Sequence, residues 1–131
     1  MVSQYHFQTI FQEFQNACAK LEEVINMEKT LVVRDAAIQR FEFTLDLSRK
    51  VLKAWLAEDK GLICRLPKDC FRQAFQQGLI DYDDFWITMV DYRNQASHTY
   101  HKTPAEEIYE QLPKALGYFL SLKSNLGRTV Q

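Results

Sequence analysis

Arg93, Asn94, His98 and Tyr100 place a permanent cation, an amide, a titratable imidazole and a phenol within the run Arg93-Asn94-Gln95-Ala96-Ser97-His98-Thr99-Tyr100. An imidazole whose ordinary pKa is about 6.5 suits proton transfer at neutral pH. A guanidinium grips a phosphate through two parallel hydrogen bonds, and Asn94 is placed to orient the imidazole or to bind a sugar or phosphate oxygen. Together these groups suit metal-free cleavage of a phosphodiester. His98 would take the proton of a ribose 2′-hydroxyl or protonate the leaving oxygen, while Arg93 stabilises charge on phosphorus. One chain offers a single imidazole in this cluster, so a symmetric dimer would be needed to share an acid and a base across a two-fold axis.

The elements that carry the run constrain it. Phe85 to Val90 form an apolar helical pattern, and with about 3.6 residues per turn Arg93 falls on the stripe of Trp86 and Met89. A charge on that stripe is costly unless it is paired, hydrated or used. Asn94 and His98 share a neighbouring face while the helix lasts. Arg93 and His98 diverge by about 140° on a regular helix. They converge on one ligand only if the helix ends or loosens near Ser97, or if two copies of the chain face each other. The plainer alternative pairs Arg93 with a carboxylate such as Glu42 or Asp84 and leaves His98 capping the helix end, where the dipole favours a cation.

The rest of the chain reads as scaffold. Its 131 residues, 47% hydrophobic and 25% charged, fit one domain spanning residues 1–131 that buries a core without metals or disulfides. No secretory leader and no long apolar run is present, so a soluble cytoplasmic protein without a membrane partner is expected. A net charge of −1 gives no global field to gather nucleic acid, and any contact with RNA must come from a local patch. Cys18, Cys64 and Cys70 are odd in number and fall in helical patterns, which predicts reduced, packed thiols; the Cys64/Cys70 spacing fits no zinc motif.

Apolar residues at Phe7, Ile10, Phe11, Phe14, Cys18, Leu21 and Ile25 predict a long amphipathic helix. A second runs from Arg34 to Glu58 with a face wide enough for burial on two sides, as in a central bundle member or a dimer-facing one, and stops at Gly61. Pro67 opens a short helix that Gly78 closes. Asp81, Asp83 and Asp84 cap and charge the start of the helix that carries Arg93, a simpler role than metal binding. Thr103-Pro104-Ala105-Glu106 has capping-box spacing and opens the last helix, which Pro113 should kink or divide and which should fray from Leu126. No segment shows sustained strand alternation. The expected fold is all-α: a homodimeric, up-down four-helix bundle with one short additional helix. Arg49, Lys50 and Lys53, or Arg65, Lys68 and Arg72, are possible phosphate-facing groups, although such residues usually form the solvated face of a helix.

Three stretches carry a resemblance to a known family: Phe41-Glu42-Phe43-Thr44 followed by Lys50 and Trp55, then Ala74-Phe75 with Gly78-Leu79-Ile80, and above all Arg93-Asn94 with Ser97-His98-Thr99-Tyr100. Over roughly residues 5–125 the chain resembles nucleotidyltransferase substrate-binding proteins, HEPN-domain proteins also described as HepT-type toxins. The resemblance implies a dimeric helical bundle working beside a separately encoded minimal nucleotidyltransferase. It implies a metal-independent, cofactor-free ribonuclease with Arg93 and His98 catalytic and Asn94 as the polar residue after the arginine. Tyr100 would be the site that the partner antitoxin adenylylates, with Glu42 and Ser97 as possible supporting residues. The older family name implies instead a non-catalytic subunit that binds substrate or nucleotide for the transferase; a third possibility is a purely structural subunit.

Overall fold

Helix α2, Leu31–Lys60, is the member on which the others are assembled. It follows α1 (Gln4–Ile25) and precedes α3 (Pro67–Gln76), α4 (Phe85–Gln95) and α5 (Ala105–Thr129), and it packs against all four. The computed structural model describes residues 4–81, 83–95 and 104–129. Among the described residues every regular element is helical, and no helix is long and apolar enough to cross a membrane.

Burial along α2 explains its position. Phe41, Leu45, Leu52 and Trp55 are buried, but so are Thr44, Leu47, Ser48, Val51, Ala54 and Leu56, which is too broad a set for one stripe. The two buried hydroxyls are satisfied locally. Thr44 donates to the Arg40 carbonyl at 2.7 Å and Ser48 to the Leu45 carbonyl at 2.6 Å. Two-sided burial, expected from the sequence, here reflects the central place of α2 among its neighbours.

A chain of rings ties the short helices to the long ones. Trp86 of α4 stacks on Phe71 of α3 at 4.7 Å and meets Phe119 of α5 edge-on at 5.9 Å. Phe119 in turn meets Phe14 of α1 and Phe41 of α2. Such ring pairs contribute roughly 0.5–1.5 kcal/mol each beyond the area they bury. They fix where α4 lies on α2, and hence where Arg93 emerges.

Several boundaries differ from expectation. Among the described residues three helices are long and two short, α4 being described over 11 residues up to Gln95. α2 begins at Leu31 rather than Arg34, since Thr30 Oγ1 accepts the Val33 N–H at 3.0 Å and caps the helix earlier than the apolar pattern starts. Gly61 ends α2 with φ 66°, as expected. α3 closes through Gly78, whose φ of 78° lets the Leu79 N–H reach the Ala74 carbonyl at 3.0 Å and its own N–H the Phe75 carbonyl at 2.9 Å. Asp83 caps α4 by accepting the Phe85 N–H at 2.9 Å.

Pro113 neither ends nor divides α5, which runs from Ala105 to Thr129. The proline faces solvent while Leu112, Ala115 and Phe119 on either side of it are buried, so packing holds the helix through the lost backbone bond. Nor does the helix loosen at Leu126. That side chain is fully buried, and Asn125 beside it donates to the Leu79 carbonyl at 2.8 Å.

The cysteines also depart from expectation. Cys18 is a buried free thiol, pushed up to about 12 by its burial. Cys64 and Cys70 form a disulfide. The chain leaves α2 at Gly61, turns, and re-enters helix at Pro67, which folds Cys70 back to a Cα–Cα distance of 5.1 Å from Cys64. Spacing alone does not reveal that reversal.

Candidate functional site

Arg93 stands one turn beyond Met89 and two beyond Trp86 on α4, and burial falls along that line. Trp86 and Met89 are in the core, whereas the Arg93 side chain is 37% exposed. The guanidinium leaves the core one turn past Met89 and meets α2. There Asp46 accepts from Nε at 3.3 Å through each carboxylate oxygen, and from Nη2 at 3.2 Å through Oδ2. This two-pronged contact fixes the plane of the guanidinium and leaves the Nη1 side outside the pair.

The partner of Arg93 is therefore Asp46, not Glu42 or Asp84. Glu42 lies one turn earlier on α2, while Asp84 belongs to the opposite end of α4, where it lines a separate groove with Asp81 and Asp83. Glu42 still belongs to the electrostatics of the site. Burial raises its pKa, the positive charge of Arg93 opposes that rise, and the negative charge of Asp46 adds to it, leaving the carboxyl above its ordinary range. Two carboxylates four residues apart on one helix face disfavour each other, and the Arg93 cation beside them offsets that cost. Asp46 is the site residue that the sequence left unnoticed.

Arg93, Asp46 and Asn94 line a cleft of about 520 Å³. Buried Leu45, Phe71 and Val90 form its apolar floor, and Pro67 closes one side. Two further arginines reach it: Arg49 from α2, one turn beyond Asp46, and Arg65 from the connection to α3. The sequence placed these in two separate basic groups. The fold takes one residue from each. Among the described residues no group of three or more His, Cys, Asp or Glu is disposed to hold a metal ion.

Asn94 is exposed and lies beside Arg93 at the same cleft. His98, Ser97 and Tyr100 lie outside the described residues, as does the expected loosening of the helix near Ser97. The described part of the site comprises Glu42, Asp46 and Arg49 of α2, Arg65 of the connection, and Arg93 and Asn94 of α4. It can orient a guanidinium and gather anionic oxygens along an apolar floor.

The chain and its fold have relatives. A protein of Haemophilus influenzae Rd named "Probable ribonuclease HepT" is 36% identical over 90 residues. The match takes in 66% of this chain and spans 60% of the length of that relative. A crystal structure of a Thermus thermophilus protein has the same fold with a TM-score of 0.77 and 36% identity, covering 88% of this chain and 97% of that one. Residues 9–128, which include every helix that contributes to the cleft, match the family described as "Nucleotidyltransferase substrate binding protein like". The chain belongs to that family.

Proposed function

We propose that this chain is the HEPN-type toxin of a two-protein pair, a metal-independent endoribonuclease that acts as a homodimer in the cytoplasm and is neutralised by a separate minimal nucleotidyltransferase. What carries the reading is Arg93, fixed in orientation by Asp46 at the lip of a basic cleft and five residues before His98 in the chain. A guanidinium held in place, with Nη1 outside its pair with Asp46, is preorganised for a phosphoryl oxygen. The name of the Haemophilus relative supports the same chemistry.

In this mechanism Arg93 binds the scissile phosphate and stabilises the charge that develops on it. His98 transfers the proton between ribose 2′-hydroxyl and leaving oxygen, and Asn94 positions the imidazole or the substrate. A second copy of the chain supplies the second imidazole. Ser97 is a supporting residue, and Glu42, held above its ordinary range beside Arg93, is a supporting proton-accepting group. Tyr100 is the residue that the transferase adenylylates: an AMP there adds phosphate charge that pairs with Arg93 and repels the RNA backbone.

Arg93→Ala and His98→Ala should each abolish RNA cleavage and growth inhibition with helicity intact, and chelator should change nothing. Cleavage that survives both substitutions puts the site elsewhere. Light scattering should give twice the chain mass. Co-expression with the transferase should add AMP at Tyr100 and leave Tyr100→Phe unmodified and toxic. The family description favours a second reading, a subunit that binds substrate for the transferase without cutting RNA. A wild-type chain that binds nucleotide and leaves RNA whole would establish it.

A further inference from the structure

The net charge of −1 leaves the problem of how a polyanion is held, since no global field draws it in. Six basic residues stand in the two groups around Arg49 and Arg65, and the fold treats them differently. Lys68 is paired with Asp91 at 2.7 Å. Arg72 lines a different groove, which it shares with the carboxylates of Asp81, Asp83 and Asp84. Lys50 and Lys53 are on the exposed face of α2, away from the cleft lining. Only Arg49 and Arg65 line the cleft of Arg93, and neither has an ion-pair partner among the described residues.

Three guanidiniums thus share one cleft with a single carboxylate, Asp46, which Arg93 already engages. The Arg65 backbone is held beside the cleft because its neighbour Cys64 is tied to Cys70 at the start of α3 and Pro67 begins that helix. We infer that Arg49 and Arg65 form a second anion subsite beside Arg93, which takes a phosphodiester of single-stranded RNA next to the scissile one. The apolar floor of Leu45, Phe71 and Val90 beneath them gives a base or ribose a surface to lie on. This assignment rests on the ribonuclease reading for its substrate class, but the two can fail separately. Arg49 and Arg65 are positioning residues: they hold the strand in register and leave the proton transfers to others.

The test is binding of a short fluorescein-labelled single-stranded RNA to the full chain carrying His98→Ala, followed by anisotropy across a salt series. In that background Arg49→Gln and Arg65→Gln should each weaken binding and lower the slope of log affinity against log salt by about 0.7, the value for one lost phosphate contact on a single strand. Arg72→Gln and Lys20→Gln, the latter on the exposed face of α1, remove the same charge away from the cleft and should leave the slope unchanged. Slopes unaltered by the two cleft substitutions, an equal drop in the two controls, or no RNA binding at low salt would each overturn the subsite. Cleavage by the chain with native His98 is measured in parallel. If it cuts RNA and the cleft variants keep the wild-type KM, the ribonuclease stands without the subsite. If it cuts nothing while the cleft variants lose binding and slope, the subsite stands and the ribonuclease reading falls.

Discussion

Replacing Asp46 by asparagine separates what the Arg93–Asp46 contact does for stability from what it does for chemistry. The two side chains are 37% and 42% exposed, so water screens their attraction, and an exposed pair of this kind is worth roughly 0.2–1 kcal/mol. No buried charge is orphaned, because Arg93 gains water when it loses Asp46. An unfolding entropy of about 2.1 cal/mol/K per residue gives roughly 0.28 kcal/mol/K for this chain, so Asp46→Asn should lower Tm by less than about 4 °C. Its effect on turnover should be larger. The guanidinium plane is set by the contacts at 3.2–3.3 Å from Nε and Nη2, and an unheld arginine samples rotamers that miss the phosphate. A misplacement of this kind costs on the order of tenfold to a hundredfold in kcat. The cleft meanwhile loses its one carboxylate, so RNA should bind at least as tightly, and KM should fall or stay level. Calorimetry with steady-state RNA cleavage checks all three quantities together. A kcat within twofold of wild type would show that Asp46 does not position Arg93; a Tm drop beyond about 8 °C would show that the pair is structural.

Glu42 is raised by burial, against Arg93 and with Asp46, so its folded pKa lies above its unfolded one. Its contribution to stability is complete below the unfolded pKa and is lost as pH rises through the folded value. Glu42→Gln should therefore gain on wild type in urea unfolding at pH 8 relative to pH 4, and a gain confined to pH 4 would reverse the sign. Leu126→Ala removes a fully buried side chain and should cost about 2–5 kcal/mol; a loss below 0.5 kcal/mol (roughly the range of an exposed position) would restore the frayed tail. In denaturant without reductant, a thiol-directed reagent should label Cys18 alone, and with reductant all three cysteines. The paired Cys64→Ser and Cys70→Ser variant should lose about 2 kcal/mol from loop entropy, beyond any packing loss. Labelling at all three without reductant would exclude the disulfide.

Helix existence and most stops were legible because each had a local cause. Gly61, Pro67 and Gly78 act through the backbone geometry of their own turns, and the spacing of Phe7, Phe11, Phe14 and Leu21 records a face that is in fact buried. Local causes mislead where packing outweighs them. Pro113 reads as a kink or a division, yet the buried residues around it keep α5 one helix. Leu126 reads as tail, yet it meets a wall of core that no window on α5 contains. The site divides in the same way. Arg93 was conspicuous as a charge on an apolar stripe. Asp46 looked like any half-exposed helix carboxylate, and Arg49 and Arg65 like ordinary surface cations, because what makes them members of one cleft is the crossing of α4 over α2 and the reversal at Cys64–Cys70.

The central position of α2 also means that the site is mounted on parts with different thresholds for opening. Glu42, Asp46 and Arg49 ride on a helix that touches every other helix, so their amides should exchange with solvent only when the whole molecule unfolds. Arg93 and Asn94 ride on α4, whose buried residues among those described are Phe85, Trp86, Met89 and Val90, all of them before Arg93. The stretch of α4 from Tyr92 to Gln95, none of whose residues is fully buried, can therefore part from α2 at a cost below global unfolding, separating Arg93 from Asp46 while the bundle persists. In hydrogen exchange this would register as amides of Tyr92 to Gln95 exchanging well ahead of those of Phe41 to Arg49. The chain would then have a native population in which the fold is intact and the site is dismantled, and any partner that binds this population would silence the protein without unfolding it.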